Sequence, residues 1–154
     1  MISPTPLKDA LVRKASPADL PRVERLLADS DLPLAGVKEA FEHFVVAEAG
    51  NDLVGVAGLE VCCDNALLRS VAVRSEYRSK GVGRELVMRA IGEAEARGIH
   101  ALYLLTTTAE SYFPTFGFRK IERSEVPDDV RATEEFTTAC PDTATVMKRP
   151  LTAR

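Results

Sequence analysis

The distribution of apolar residues along the chain predicts a mixed α/β protein. Runs that are wholly apolar or that alternate with polar residues are typical of strands, and they lie at 10–13, 44–48, 53–62, 67–73, 101–105, 118–121 and 143–148. Helices are predicted from 17 to the break at 29–33 and at 37–43, 81–97 and 108–116. The elements therefore follow the order β-α-α-β-β-β-α-β-α-β-β.

One predicted connection determines how two of the strands run. The helix over 81–97 joins the strand at 67–73 to the strand at 101–105. Because this is a βαβ crossover, we expect the two strands to be parallel. We expect residues 126–141 to form an ordered loop with a helical turn at 128–131.

Composition limits the class of protein and its partners. A chain of 154 residues with 45% apolar residues and a net charge of −3 predicts one globular domain over 1–154 without a general attraction to nucleic acid. No apolar stretch approaches the length that spans a bilayer, and the N-terminus lacks a signal-peptide core. Three cysteines without framework spacing argue against a secreted disulfide scaffold. We therefore expect a cytoplasmic protein without a membrane or nucleic-acid partner.

A glycine-rich basic turn follows the strand at 67–73. It reads Arg78-Ser79-Lys80-Gly81-Val82-Gly83 and continues with Arg84. The first N–H groups of a helix have no internal partner, and the helix dipole adds partial positive charge there. Glycines let the backbone approach an anion, and basic side chains add formal charge. The spacing is neither the dinucleotide-binding G-x-G-x-x-G nor a Walker phosphate loop. The turn predicts a site for the diphosphate of a cofactor.

The pattern R-x-x-G-x-G after a Val-Ala-Val strand resembles the acetyl-CoA signature of the GNAT N-acetyltransferase superfamily. The order of elements resembles the GNAT fold over nearly the whole chain. This resemblance implies a mixed seven-stranded sheet with four helices, in which a splayed pair of parallel strands holds acetyl-CoA, the cosubstrate. It further implies that a backbone N–H near Val73 polarises the thioester carbonyl. The implied cofactor-binding residues are Val71, Ala72, Val73, Arg78, Ser79, Lys80, Gly81, Val82, Gly83, Arg84 and Phe113.

This chain departs from the family pattern at the residue that would protonate the leaving sulfur. In many GNAT enzymes an asparagine and, seven residues later, a tyrosine follow the fifth strand, but the corresponding positions here hold Thr106 and Phe113. Tyr112 is one residue away and is a candidate for that acid, with aromatic packing as the alternative. Since a thiol leaves with a pKa near ~8.5, such an acid is helpful rather than indispensable.

Arg69 interrupts an otherwise apolar strand and, by alternation, shares a face with Val71 and Val73. A buried arginine is costly unless an anion pairs with it. In one interpretation, Arg69 forms a salt bridge with Glu60 on the neighbouring strand. In the other, Arg69 binds a carboxylate or oxyacid of the substrate, with Glu60 orienting it or accepting the amine proton. Both can hold in turn, without and with substrate.

Three consecutive threonines, Thr106, Thr107 and Thr108, follow the strand at 101–105. There they would lie beside the acetyl group and could donate hydroxyls to an oxyacid of the substrate. The alternative is that one of them caps a helix.

Further stretches at 58–60, 67–70 and 104–109, with a tail that includes Thr133, 135–136 and 140–141, resemble a GNAT subgroup associated with arsenic-resistance operons. These proteins are similar to enzymes that acetylate phosphinothricin. The resemblance implies a substrate with two anionic ends and one α-amine, such as arsinothricin or phosphinothricin. An amine with a pKa of ~7.7 loses its proton at neutral pH for about 1 kcal/mol, whereas a lysine-like amine needs a strong base, and an α-amine suits a site without an obvious strong base.

Two alternatives to this function stay open. One is a GNAT acetyltransferase for an ordinary amino acid or another amine, and the other is a non-catalytic acyl-CoA-binding regulator. GNAT proteins are often dimers, which makes a homodimer compatible with the resemblance.

The cysteines and one histidine allow a metal site but do not favour one. Cys62 and Cys63 are adjacent on a strand, so their side chains point to opposite faces and chelate poorly together, and Cys140 is distant in sequence. Small apolar packing is the better interpretation of these cysteines. His43, beside a helix end, fits a polar boundary residue better than a base. We expect no metal.

Overall fold

The computed structural model describes residues 9–133, 136 and 143–151 and shows, within them, one sheet of seven strands. The strands are β1 (Leu11–Lys14), β2 (Phe44–Ala49), β3 (Asp52–Cys62), β4 (Asn65–Val73), β5 (Ala101–Thr106), β6 (Arg119–Ile121) and β7 (Thr145–Pro150). Their order across the sheet is β1-β2-β3-β4-β5-β7-β6. Strands β4 and β5 are parallel, and the other described pairs are antiparallel. The predicted mixed sheet and βαβ crossover are confirmed.

Helices cover both faces of this sheet. Within the described residues they are α1 (Leu20–Asp29), α2 (Val37–Ala40), α3 (Val82–Ala96) and α4 (Asp128–Arg131). Neighbouring residues of β2 show the two layers, because Val45 joins the apolar cluster that contains Leu86 of α3, whereas Val46 joins the cluster that contains Leu27 of α1. The sheet is therefore buried between α3 on one side and α1 with α2 on the other.

The segment 108–116, predicted to be a helix, contains only a 3-10 turn at Phe113–Phe116. The Thr106 hydroxyl oxygen accepts hydrogen bonds from the backbone N–H groups of Thr108 at 3.4 Å and Ala109 at 2.9 Å. Such an acceptor suits the start of a helix, but Pro114 has no N–H to donate and its ring would clash with the preceding turn in a helix interior. The helix prediction here was wrong. The fourth α-helix of the described residues is instead α4, at the position of the helical turn expected at 128–131. Part of the loop predicted at 126–141 lies outside the described residues.

A bulge in β4 changes the face on which Arg69 lies. The register between β3 and β4 shifts between Val56 and Gly58, and Ser70 adopts the left-handed conformation with φ +59°. A bulge inserts one residue and so reverses the alternation beyond it. Val71 packs against the cluster on the α3 side, whereas Arg69 reaches the loop before α2. The expected shared face of Arg69 and the two valines was therefore wrong.

Asp19 is a buried carboxylate that joins β1 and α1. Its oxygens accept hydrogen bonds from Arg13 at 2.8 and 3.0 Å, from Arg22 at 2.8 Å and from the backbone N–H of Ser16 at 2.8 Å. Both arginines also reach Glu48 on β2, at 3.4 and 3.3 Å. The hydrogen bond from Arg13 holds the pKa of Asp19 well below its usual range, although burial opposes it.

We expect Asp19→Asn to lower the free energy of unfolding at pH 7 by about 2 kcal/mol, because the two arginines lose a buried acceptor. A carboxyl whose pKa is lowered on folding stabilises the protein above its unfolded pKa, near ~3.9, and this contribution disappears as the pH falls toward the folded value. The difference between variant and unaltered protein should therefore shrink below about pH 4. Urea unfolding over a pH series measures it, with the exposed Asp52 changed to Asn as control. A difference that is independent of pH would contradict the assignment.

Candidate active site

Strands β4 and β5 separate after a short stretch of pairing. Only Ala66 with Leu102 and Leu67 with Tyr103 are paired, although β4 continues to Val73. The separated halves border a cavity of about 660 Å³ that opens between them. A volume of this size is typical of small-molecule and cofactor sites. The splayed parallel pair expected from the sequence is present.

The N-terminus of α3 forms one border of this cavity. Gly81 precedes the helix with φ +85°, and a Cβ added there would have no atom within 4 Å. Ser79 also adopts a left-handed conformation, with φ +63°. The exposed Arg78 and Arg84 line the cavity, and Arg78 donates a hydrogen bond to the Val73 carbonyl at 3.1 Å. Free helical N–H groups, an open glycine and two cations fit a diphosphate.

The predicted cofactor-binding residues are mostly brought together at the cavity. Its lining includes Val71, Ala72, Val73, Arg78, Ser79, Gly81, Gly83, Arg84 and Phe113. Lys80 is exposed but not part of the lining, and Val82 is buried against the core on the α3 side of the sheet.

Tyr112 lies in the cavity wall beside the helix start. Its hydroxyl is 3.1 Å from the point that a Cβ would occupy at Gly83. The ring packs edge-on against Phe113 and Phe116, with centroids 5.3 and 5.2 Å away. Burial raises the pKa of the Tyr112 phenol, and the nearby Arg84 charge opposes this. Phe113, at the position where the family tyrosine is expected, is buried in the core. Of the two aromatic residues, Tyr112 is the one with a hydroxyl at the cavity.

Arg69 lines the cavity, but its side chain is fully buried and pairs with protein groups. Its Nη1 donates to Glu60 at 2.8 Å, its Nη2 to the Ala35 carbonyl at 2.5 Å and its Nε to the Ser70 hydroxyl at 3.1 Å. The predicted salt bridge with Glu60 is confirmed. Glu60 itself is not part of the cavity lining and borders a separate depression next to Gly36.

The three threonines after β5 all line the cavity. Thr106 is half-buried, and its hydroxyl oxygen organises the following turn, whereas Thr107 and Thr108 are exposed to the cavity and solvent. Thr106 therefore caps a turn rather than a helix, and the other two hydroxyls are placed where a ligand can meet them.

Several lining residues were not predicted from the sequence. Asp31, Leu32 and Pro33 come from the loop after α1, and Ala144 comes from the segment before β7. The sequence pattern identifies the first three only as a helix break. A positive φ of 57° at Asp31 marks the loop as a sharp turn, but nothing in the local pattern indicates that it folds over the cavity.

Cys62, Cys63 and His43 are not part of the cavity lining. Burial raises the pKa of Cys62 to about 12, and Cys63 is exposed in the turn after β3. Cys140 lies outside the described residues. His43 is mostly buried, and burial lowers its pKa. Among the residues that the structure describes, no group of three or more metal-ligating side chains occurs, and no helix has the length and apolarity to cross a membrane.

Sequence comparison identifies relatives of this chain. Residues 40–120 match the model of a GNAT acetyltransferase domain. An uncharacterized N-acetyltransferase of Chlorobaculum tepidum is 28% identical over 139 residues, which cover 81% of this chain and 85% of that protein. An amino-acid acetyltransferase of Aeromonas salmonicida is 30% identical over 88 residues, covering 56% of this chain and 20% of that protein. The chain therefore spans only a part of that longer relative.

Structural comparison agrees with the family match. The N-acetylglutamate synthase of Neisseria gonorrhoeae, solved with coenzyme A and N-acetyl-glutamate, superposes with a TM-score of 0.80 at 22% identity, over 94% of this chain and 35% of that one. A Mycobacterium tuberculosis protein solved with CoA superposes with a TM-score of 0.79 at 24% identity, over 92% and 99% of the two chains. The splayed sheet and the family match together show that this chain belongs to the GNAT family and is an N-acetyltransferase domain.

Proposed function

We propose that this domain moves the acetyl group of acetyl-CoA to the α-amine of a small amino acid that carries a second anionic group. The observation that carries the proposal is the cavity between β4 and β5. Its walls combine the basic, glycine-containing start of α3 with Arg69 and a row of threonines. The first set suits a diphosphate and the second suits an anionic acceptor.

The backbone and side-chain groups that border the cavity suggest which part of the cofactor each would bind. The amides at the start of α3, with Arg78 and Arg84, would hold the diphosphate. Backbone groups of Val71 and Val73 would hold pantetheine, since β4 has no β5 partner beyond Leu67. Acetyl-CoA supplies the activated acyl group when bound. An N–H near Val73 would then stabilise the negative charge that develops on the carbonyl oxygen.

The proposed acceptor is an amino acid with an acidic head, such as glutamate, phosphinothricin or arsinothricin. The positive charge of Arg69 at the cavity favours an anion and disfavours a polyamine, and the exposed hydroxyls of Thr107 and Thr108 can donate to an oxyacid. Glu60 orients Arg69 from 2.8 Å. Amino-acid acetyltransferases among the relatives support an amino acid acceptor, and an oxyacid analogue of glutamate satisfies the same contacts.

Thiol release from acetyl-CoA tests the proposal. We expect acetylation of glutamate, phosphinothricin or arsinothricin at a kcat/KM clearly above that of spermidine. A preference for spermidine would overturn the anionic acceptor. Binding of coenzyme A without turnover of any amine would overturn the enzymatic proposal and favour an acyl-CoA-binding regulator.

We expect Tyr112→Phe to lower kcat about tenfold while leaving the affinity for coenzyme A unchanged, because only the hydroxyl is lost and the aromatic packing stays. The modest size follows from a leaving thiol of pKa near ~8.5, which departs without full protonation. Because its pKa is raised, the Tyr112 phenol stays protonated at neutral pH and can donate its proton. The loss of kcat should therefore be the same from about pH 6 to about pH 8. Steady-state kinetics across this range measures it. A tenfold or larger loss of coenzyme A affinity would show that Tyr112 acts in cofactor binding instead.

A further inference from the structure

Asp31 differs in charge from the rest of the cavity wall. The acidic and basic residues among the described cavity lining are Asp31 and the three arginines Arg69, Arg78 and Arg84. Asp31 is thus the single acidic residue in the described part of a lining that otherwise carries positive charge. Its side chain makes no hydrogen bond or ion pair with another described residue, and it is exposed. A carboxylate in this position is available to a ligand.

The turn that carries Asp31 is held firmly at its α1 end. The Asp31 N–H donates to the Ala28 carbonyl at 3.1 Å, and the Leu32 N–H donates to the Leu27 carbonyl at 2.9 Å. Asp31 adopts the left-handed conformation with φ +57°. Aspartate and asparagine tolerate this conformation better than most residues. Asp31 therefore belongs to an ordered turn at the cavity.

The other end of the same loop is held by Arg69. The guanidinium donates to the Ala35 carbonyl at 2.5 Å, and Nη1 lies 2.8 Å from the point that a Cβ would occupy at Gly36. The loop from Asp31 to Gly36 is thus anchored at α1 and at the β4 bulge. Pre-organisation of this kind lowers the entropic cost of binding a ligand.

We propose that Asp31 binds the ammonium group of the acceptor before it loses its proton. This inference rests on the proposed function, because it assigns the amine end of an acceptor whose anionic end is assigned to Arg69. A carboxylate and an arginine on one cavity wall discriminate a zwitterionic amino acid from a simple anion, which would be repelled by Asp31, and from a polyamine, which would be repelled by Arg69. Asp31 adds no chemical step and acts in binding.

The test replaces Asp31 with asparagine, which keeps the shape and the left-handed conformation but removes the charge. We expect the KM for glutamate, or for the best α-amino acid acceptor, to rise about tenfold, the size of one hydrogen bond between charged groups. The KM for acetyl-CoA should not change. The matched control is Asp29→Asn, two residues earlier, which is exposed and not part of the cavity lining.

A second acceptor separates charge recognition from a change of loop structure. Aminooxyacetate carries a carboxylate and an amine-like nitrogen that is uncharged at neutral pH. If Asp31 binds an ammonium group, Asp31→Asn should leave the KM for aminooxyacetate within about twofold, whereas a disturbed loop should raise both values. An unchanged KM for the amino acid, or an equal rise for both acceptors, would overturn the assignment.

Calorimetry separates this inference from the proposed function. Glutamate is titrated into the protein saturated with coenzyme A, so that no turnover is needed. If glutamate binding weakens about tenfold in Asp31→Asn, the role of Asp31 is supported. If acetylation is absent at the same time, only the proposed enzymatic function fails. If Asp31→Asn acetylates the acceptor with an unchanged acceptor KM, the role of Asp31 is overturned and the proposed function stands. A protein that neither binds nor acetylates any of the acceptors overturns both.

Discussion

Replacement of Arg69 by alanine should lower the free energy of unfolding by about 3 kcal/mol and raise the acceptor KM at least tenfold. The side chain is fully buried, and its loss leaves Glu60 and the Ala35 carbonyl without their shared donor. Unpaired polar groups of this kind cost more than the original pair contributes. The acceptor KM should rise because the acceptor loses the cation proposed to bind its anionic end, and because the loop from Asp31 to Gly36 loses its anchor at the bulge. Denaturant unfolding and steady-state kinetics measure the two effects.

The control for Arg69 is Arg74, the residue that directly follows β4. Arg74 pairs with Glu76 at 2.9 Å, but both side chains are about two-fifths exposed. An exposed pair contributes little, so Arg74→Ala should change the unfolding free energy by less than about 1 kcal/mol and leave KM unaltered. A parallel loss of acetyl-CoA affinity in Arg69→Ala would mean that the variant disturbs the whole cavity and that Arg69 has only a structural role. Glu60→Gln, which keeps a hydrogen-bond acceptor, should show a smaller loss of stability than Arg69→Ala.

Replacement of Gly81 by leucine should weaken coenzyme A binding by roughly 30- to 150-fold, which corresponds to about 2–3 kcal/mol. Gly81 holds φ +85° at the start of α3, and the space around it is open on the cavity side. A side chain there would fill the approach to the helical N–H groups, which would otherwise donate to the diphosphate. Calorimetric titration with coenzyme A measures the loss.

The chain offers a matched control at the other end of the same helix. Gly98 follows α3 with φ +73°, and a Cβ there also meets nothing within 4 Å. Leucine at either glycine carries a similar backbone strain, about 1–2 kcal/mol of stability. Gly98→Leu should therefore lose stability like Gly81→Leu yet keep its affinity for coenzyme A. Equal affinities in the two variants would show that the diphosphate binds elsewhere.

The two ends of the cavity are built from different groups. For this reason one substitution should change mainly ligand affinity, whereas the other should change affinity and folding stability together. The proposed cofactor end would depend on backbone amides and one glycine, with exposed arginines adding charge. The proposed acceptor end would depend on Arg69, a buried arginine that links β3, the β4 bulge and the loop before α2. A change at the first end should alter ligand affinity at modest cost in stability, and a change at the second should alter both.

Much of the fold could be predicted because its signals are local. Alternating and apolar runs indicated the seven strands of the described sheet, and the glycine-rich turn before α3 lies at the border of the cavity. The salt bridge of Arg69 with Glu60 was also predictable, since a charged residue within an apolar strand requires a partner nearby. The helix predicted at 108–116 was wrong because Pro114 lies within it, and a proline lacks the N–H and clashes with the preceding turn of a helix interior.

The sequence alone determined the order of elements, the parallel crossover and the basic glycine turn, because each depends on residues that are neighbours in the chain. Only the tertiary structure decided that Ser70 forms a bulge, that the Tyr112 hydroxyl lies beside Gly83 at the cavity, and that Asp31 joins the cavity wall. These three facts depend on the register of β3 against β4 and on loops that meet across the sheet. Contacts between distant segments leave no periodic signal in either segment, so they can be found only once the chain is folded.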